Sequence, residues 1–367
     1  MRYLLLVFAT WLVGCVPPTV IGITGIGDTL YVHLGDTLVI IGVALPDTTP
    51  PDTTPPDTTM PPAVVDTLLG VPLIDMGDSI TYKGYEGGLY PGGNDEAPAA
   101  HLARQPQIDT SQPFGFASLG MSNTWWEWCK SPWDSGPIQP YGCTEYSFAG
   151  AVADSVGVHP SLRLVSGAQG GKVADDWRQG SNSAWTNLNS LLAEQDLEPA
   201  DLKVVWIKVV NRNPDSLLPD PSADAYDLLE DLGDIVRLLK ARYGVQQAYL
   251  SSRIWAPACA GPKNPEPYAY EGGYAVKWLI EAQIKQLEGA PESTIAGDLS
   301  LVAAPWLAWG PYLWADNGNE RSDGLTWSPD DMYTGCNEHP GVAGIIKVAN
   351  LLVAFFRDSP LTSWFRP

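Results

Sequence analysis

Short apolar runs alternate with longer stretches of helical spacing from about residue 63 onward. In the helical stretches apolar residues recur every three or four positions, as Leu228, Leu232 and Ile235 do. The predicted helices are Ala184–Glu194, Asp224–Tyr243, Tyr274–Leu287 and Gly341–Phe356. The predicted strands are Pro72–Met76, Phe114–Leu119, Leu162–Ser166, Val204–Val210, Ala248–Ser251 and a weaker Leu301–Ala304. This alternation predicts an α/β domain whose central parallel sheet is covered by helices on both faces.

The first residues have the pattern of an export signal. Met1-Arg2 is followed by an apolar run, Leu4–Val13, that is too short to span a bilayer. The run leads into Leu12-Val13-Gly14-Cys15, which resembles the lipobox of bacterial lipoproteins, whose cysteine receives a lipid. We expect residues 1–15 to be a lipoprotein signal peptide and the exported chain to be anchored in the bacterial cell envelope through lipid on Cys15. The outer membrane or cell surface is the expected location, because Val16 and not Asp follows the cysteine.

Residues 16–62 precede the α/β region and differ from it in composition. Their first part, to residue 45, is apolar and β-prone, and a Pro-Asp-Thr-Thr-Pro repeat follows from Pro46. Proline-rich repeats without apolar residues cannot form a core and behave as extended spacers. We therefore expect a stalk here, followed by one α/β domain over residues 63–367.

Charge and cysteine content narrow the class of protein. The net charge is -21, which argues against nucleic acid as a partner because nucleic-acid binding needs a basic surface. Apart from Cys15 the chain has an even number of cysteines, which in an exported protein predicts disulfides. The favoured pairing is Cys129–Cys143 with Cys259–Cys336.

Polar residues with the chemistry of ester hydrolysis follow the predicted strands. They lie in Gly120-Met121-Ser122-Asn123, in Gly167-Ala168-Gln169-Gly170-Gly171, at Asn211 and in His339-Pro340. In a parallel sheet the carboxyl ends of the strands share one edge, where ligands bind. A serine hydroxyl attacks an ester, a histidine takes its proton, and backbone N–H groups with an asparagine amide stabilise the oxyanion.

These four blocks, in the order Ser, Gly, Asn, His, resemble those of the SGNH (GDSL) hydrolase superfamily. The resemblance covers roughly residues 70–365. Within the superfamily, the chain is similar to a group of exported bacterial proteins of unestablished substrate. The resemblance implies a three-layer α/β/α, flavodoxin-like fold and a serine esterase that needs no metal or organic cofactor. It also implies His339 as the base, with Gly170 and Asn211 in the oxyanion hole. Gly167, Gly171 and Asn213 are the alternatives there.

Two serines compete for the role of nucleophile. Ser79 lies in a literal Gly77-Asp78-Ser79 motif, whereas Ser122 precedes a helix start, with Glu127 suggesting a capping box. We favour Ser122, because the nucleophile of this fold lies at a strand-to-helix turn and glycine- and proline-rich coil follows Ser79. Ser79 remains the alternative nucleophile.

The acid of the triad departs from the family pattern. The superfamily usually has Asp three residues before the histidine, a position that Cys336 occupies here. Glu338, Asp331 and Asp330 are the acids that could replace it. Among the histidines, His339 has the order and helical context of a base, whereas His101 and His159 suit structural roles.

The sequence thus predicts hydrolysis of carboxylic esters through an acyl-enzyme, with a small-molecule or glycan ester as substrate. Acylated carbohydrates are preferred on three grounds: the expected export, the 15 tryptophans, which can stack on sugars, and analogy with the family that the chain resembles. The alternatives are a lipase, thioesterase or aryl esterase using the same residues, and a non-catalytic surface carbohydrate-binding protein. No Gly-Lys-Ser/Thr phosphate loop or metal-ligand spacing accompanies these residues.

Overall fold

Contacts divide the chain at Pro61/Pro62, and the larger unit, Pro62–Pro367, contains the α/β domain. The computed structural model describes residues 20–26, 29–34, 37–42, 65–67, 70–77, 79–130, 142–153, 157–257, 264–334 and 338–367. The predicted signal peptide with Cys15, the Pro/Thr-rich repeat and the predicted Cys259–Cys336 disulfide lie outside these residues. In the smaller unit, β1 (Val20–Ile26), β2 (Thr29–Leu34) and β3 (Thr37–Gly42) form an antiparallel sheet.

The larger unit contains the alternating strands and helices that the sequence predicts. Its strands are β4 (Val65–Thr67), β5 (Ile80–Tyr82), β6 (Tyr85–Glu86), β7 (Phe114–Gly120), β8 (Leu162–Val165), β9 (Leu202–Lys208), β10 (Gln247–Leu250) and β11 (Trp306–Trp309). Its α-helices are α1 (Leu73–Met76), α2 (Ala99–Leu102), α3 (Ser122–Cys129), α4 (Phe148–Ala153), α5 (Ala174–Arg178), α6 (Ser183–Ala193), α7 (Asp224–Tyr243), α8 (Tyr268–Leu287) and α9 (Val342–Asp358). Within the described residues, no helix combines the length and apolarity needed to cross a membrane.

Five strands form a parallel sheet in the order β11-β10-β9-β7-β8. Numbered along the chain, this order is 2-1-3-4-5, that of flavodoxin-like folds. The strand order reverses between the first and third of these strands, β7 and β9, because β8 lies on one side of β7 and β9 lies on the other. Ligands bind at such a point. Residues that follow β7 and β9 are therefore placed where a site is expected. The short strands β4, β5 and β6 form a separate sheet.

Successive side chains of β9 alternate between two buried clusters, one on each face of the sheet. Val205 and Ile207 belong to a buried cluster that includes residues of α6, α7 and α8. Val204 and Trp206 belong to a second cluster that includes residues of α3, α4 and α9. Successive side chains of a strand point to opposite faces, so helices cover both sides of the sheet. The three-layer α/β/α architecture with a central parallel sheet is confirmed.

Two predicted strands are wrong. Pro72–Met76 contains the helical turn α1, because Leu73 and Met76 are both buried at a spacing of three residues and Gly77 ends the turn at φ 58°. Leu301–Ala304 forms a turn in which Val302 is 89% exposed. The last strand begins two residues later, at Trp306, where pairing with Gln247 of β10 is possible. The apolar residues of a short segment do not by themselves predict that it pairs with β10.

Candidate active site

Ser122 is the first residue of α3, immediately after the carboxyl end of β7. The turn between them requires a glycine, because a Cβ on Gly120 would lie 2.0 Å from the carbonyl oxygen of Lys208. Thr124 Oγ1 donates to that same oxygen at 2.5 Å and ties the first turn of α3 to β9. The predicted capping box is absent, since Met121 is the N-cap residue and Glu127 pairs elsewhere. The strand-to-helix turn itself is where the sequence placed it.

The structure brings His339 into hydrogen-bond contact with Ser122. His339 Nε2 lies 2.7 Å from Ser122 Oγ, although the two residues are far apart in sequence. Backbone hydrogen bonds fix the segment that carries the imidazole: Tyr333 N donates to His339 O at 3.0 Å, and Gly341 N donates to Asp331 O at 2.7 Å. This is the contact that a serine nucleophile and its general base need.

An aromatic side chain packs against the imidazole. The ring centroids of Trp126 and His339 are 4.6 Å apart, and Trp126 lies on α3 one turn after Ser122. Lys130, which directly follows α3, has its Nζ 3.5 Å from the centroid of the Trp126 ring. Trp126 therefore limits the orientations that the His339 ring can take.

Glu338 is the acidic group beside the imidazole. Its Oε1 lies 3.9 Å from His339 Nδ1, within ion-pair distance, and both side chains are less than one-fifth exposed. Asp331 is engaged elsewhere, since its Oδ2 accepts from Lys347 Nζ at 2.7 Å and from Ser328 Oγ at 3.1 Å. Cys336 lies outside the described residues.

Replacing Glu338 with glutamine is expected to lower kcat/KM for p-nitrophenyl acetate about fivefold. A partly exposed ion pair stabilises the charged imidazole by about 1 kcal/mol, and the substitution removes that charge. Steady-state kinetics on Glu338→Gln and on the matched control Asp330→Asn, an exposed neighbouring acid, measure the effect. Equal losses in both variants would contradict a specific role for Glu338.

Two buried donors hold the backbone of this segment. Arg253 Nη2 donates to Glu338 O at 3.1 Å, and Asn123 Nδ2 donates to the same oxygen. Arg253 is 1% exposed, and its burial lowers the pKa of the guanidinium to about 10. Asn123 directly follows Ser122, and Glu338 directly precedes His339. The hydrogen bond from Asn123 to Glu338 O therefore couples the positions of the serine and the histidine.

A buried ion pair lies under α3. Lys208 Nζ contacts Glu127 Oε1 at 2.5 Å and Oε2 at 2.6 Å, and both side chains are at most 1% exposed. Burial lowers the pKa of Lys208 to about 8 and raises the pKa of Glu127. Lys208 and Arg253 were not predicted from the sequence, and Glu127 was predicted only as part of a capping box. A lysine inside an otherwise apolar strand is the signal that predicts such a pair.

The glycine-rich segment after β8 is tied to the end of β7. Gln169 N donates to Gly120 O at 3.0 Å, and Ala168 N donates to Ser118 Oγ at 3.2 Å. A Cβ on Gly167 would lie 2.5 Å from the carbonyl oxygen of Ser118, so this approach also depends on a glycine. Gly170 follows Gln169 and is exposed. The segment therefore lies beside the strand that carries Ser122.

Asn211 follows β9 and is 8% exposed. With its amide oriented to satisfy both neighbours, Asn211 donates to Asp231 Oδ2 at 3.2 Å and accepts from Leu228 N at 3.1 Å. Burial raises the pKa of Asp231 to about 7 and that of Asp224, which also contacts this amide, to about 6. Helix α7 therefore fixes the orientation of the Asn211 amide.

The other sequence candidates lie in different surroundings. Ser79 precedes β5, a strand of the separate three-stranded sheet. His101 Nε2 lies 2.8 Å from Leu307 O, and its ring stacks on Trp306 at 5.0 Å. His159 Nδ1 accepts from Ser161 N at 3.2 Å. Both histidines have the structural contacts that the sequence suggested.

Cys129, the last residue of α3, forms the predicted disulfide with Cys143 at a Cα–Cα distance of 4.8 Å. In the part of the chain that the structure describes, no group of three or more His, Cys, Asp or Glu residues has the arrangement of a metal site.

Comparison with solved structures finds proteins of related architecture. A lipase/acylhydrolase from Enterococcus faecalis is 12% identical, with a TM-score of 0.34 over 66% of this chain and 95% of its own. An extracellular lipase from Streptomyces rimosus is 13% identical, with a TM-score of 0.27 over 65% and 98% of the two chains. A salicylyl-acyltransferase from a tetracycline biosynthetic pathway is 15% identical, with a TM-score of 0.32 over 68% and 56%. These likenesses concern the fold. No family model matches the chain, and comparison with curated proteins gave no match.

Proposed function

We propose that this chain is an SGNH-type serine hydrolase that cleaves carboxylic esters through an acyl-enzyme. The observation that carries the proposal is the 2.7 Å contact between Ser122 Oγ and His339 Nε2. It lies after β7, where the strand order of the sheet favours a binding site. The order of the Ser, Gly, Asn and His blocks along the chain supports the same assignment.

In the proposed mechanism Ser122 Oγ attacks the ester carbonyl while its proton passes to His339 Nε2. The resulting oxyanion accepts from the N–H of Gly170 and from one hydrogen of the Asn211 amide. The imidazolium then gives its proton to the departing alcohol, which leaves an acyl group on Ser122. Water then attacks this acyl group while its proton passes to His339 Nε2. The bond between the acyl carbon and Ser122 Oγ breaks, the carboxylic acid departs, and His339 returns the proton to Ser122 Oγ. Transfer of the acyl group to another alcohol would follow the same route.

Removing the Asn211 amide is expected to lower kcat about 10²-fold, because loss of one oxyanion donor has that effect in serine hydrolases. KM should stay near the wild-type value, since the contact forms in the transition state. Kinetics on Asn211→Ala measure this, and Asn213→Ala, an exposed amide two residues on, is the matched control. A comparable loss in Asn213→Ala, or none in Asn211→Ala, would contradict the assignment.

The preferred substrate is an acetylated or otherwise acylated carbohydrate, reached at the bacterial cell surface by a lipid-anchored enzyme. The export signal, Cys15 and the Pro/Thr-rich stalk support this location. A second candidate, a carbohydrate-binding protein without catalysis, is favoured by one observation, Cys336 at the position of the usual aspartate.

Hydrolysis of p-nitrophenyl esters of increasing chain length tests the proposed function. We expect turnover of the acetate, a lower rate on the dodecanoate, and loss of both after treatment with a fluorophosphonate. Preference for the dodecanoate would favour a lipase. Glycan binding with no turnover and no fluorophosphonate reaction would favour the second candidate and refute the enzyme.

A further inference from the structure

A cavity of about 460 Å³ is lined in part by the glycine-rich segment after β8 and by α3. Its wall includes Trp125, one turn after Ser122 on α3, and Gly170, the proposed oxyanion donor. The cavity therefore lies between the proposed oxyanion donor and the helix that begins at Ser122. Pockets of this volume accommodate small organic ligands, for which a typical range is about 300–1,000 Å³.

One face of α6 forms much of the wall. Asn187, Ser190, Leu191 and Glu194 recur at the spacing of a single helical face, and Glu194 directly follows the last residue of α6. Three of these four side chains can exchange hydrogen bonds with a ligand, and these three are exposed.

Further polar groups line the cavity away from α6. Lys172 contributes an ammonium group that also donates to Asn182 Oδ1 at 2.8 Å. The hydroxyl of Ser166 is buried and has no hydrogen-bond partner among the described residues. A long acyl chain placed here would desolvate the carboxylate of Glu194 without giving it a partner, which is costly.

The composition of this wall fits a sugar. A sugar ring has hydroxyls around its edge and apolar C–H groups on its faces, so it pairs with an aromatic ring surrounded by hydrogen-bonding groups. Trp125 is half-buried and supplies the ring, while Asn187, Ser190 and Glu194 supply polar partners. We infer that this cavity binds the alcohol part of the ester, and that this part is a glycosyl unit. The inference rests on the proposed function and names the substrate class of the same site.

Binding to an inactive variant tests the cavity separately from turnover. The probe is acetylated xylobiose, titrated by calorimetry into Ser122→Ala. Adding Trp125→Ala is expected to weaken binding at least about tenfold, whereas Trp125→Phe, which keeps an aromatic face, stays within about threefold. Adding Glu194→Ala, a change at an exposed helix end, weakens binding about tenfold through loss of a hydrogen bond to a charged group. Circular dichroism of each variant checks folding.

Kinetics on the active enzyme complete the test. The ratio of kcat/KM for acetylated xylobiose to that for p-nitrophenyl dodecanoate is expected to fall about tenfold in Trp125→Ala and to recover in Trp125→Phe. If Trp125→Ala and Glu194→Ala change neither this ratio of kcat/KM values nor the affinity for acetylated xylobiose, the inference is overturned and ester hydrolysis still stands. A ratio that rises in Trp125→Ala would assign the cavity to the acyl chain and also overturn it. Probe binding that depends on Trp125, without any turnover by the wild type, would refute the proposed function and keep the sugar site.

Discussion

Ser122→Ala is expected to lower kcat/KM for p-nitrophenyl acetate by about 10⁴- to 10⁶-fold, the range seen when a catalytic serine is removed from a serine hydrolase. The reason is the loss of the only atom that forms the acyl-enzyme in the proposed mechanism. His339→Ala should cause a loss of similar size, since the two residues act as a unit at 2.7 Å.

The matched control for this prediction is Ser79→Ala, which removes the hydroxyl of the literal Gly77-Asp78-Ser79 motif. It should retain activity within about threefold of the wild type, because Ser79 precedes β5 in a different sheet. The double variant Ser79→Ala/Ser122→Ala should match Ser122→Ala. A loss confined to Ser79→Ala would contradict the assignment and move the site to the turn before β5.

Lys208→Met is expected to lower the free energy of unfolding by about 3–5 kcal/mol, the usual cost of leaving one partner of a buried ion pair without the other. Glu127, whose side chain is fully buried, would then lose its ion-pair partner and keep only the more distant charge of Arg253. Its pKa, already raised by burial, would rise further, so the loss of stability should be larger at pH 8 than at pH 5.

Urea unfolding followed by tryptophan fluorescence measures this effect, with the double variant Glu127→Leu/Lys208→Met as the control. Apolar residues of similar volume can replace a buried pair at little cost, so the double variant should recover most of the lost stability. Additive losses in the double variant would contradict a direct coupling between the two side chains.

Much of the fold follows from patterns that are local in sequence. Helix α7 has a long amphipathic stretch and was predicted at its observed bounds, and β7, β8 and β10 were each placed to within one residue at either end. By contrast, β11 is fully buried and shows no alternation, so nearby apolar residues at 301–304 gave an equally good local pattern. Its position depends on pairing with β10, which is distant in sequence.

The candidate site divides in the same way. The strand-to-helix turn at Ser122 and the helix after His339 are local features, which is why both residues could be named from the sequence. The hydrogen bonds that hold these two residues come from residues distant in sequence. Glu338 O accepts from Asn123 and Arg253, which come from parts of the chain that no sequence period connects. Such contacts depend on three-dimensional packing, and the buried lysine of β9 was the one sequence signal available for them.

Mapping the covalent adduct of a fluorophosphonate tests the central claim most directly. The protein is treated with the probe, digested and analysed by tandem mass spectrometry, alongside His339→Ala treated in the same way. We expect one adduct, on Ser122, which forms much more slowly in His339→Ala. An adduct on Ser79, or equal labelling of Ser122 in the two proteins, would contradict that claim.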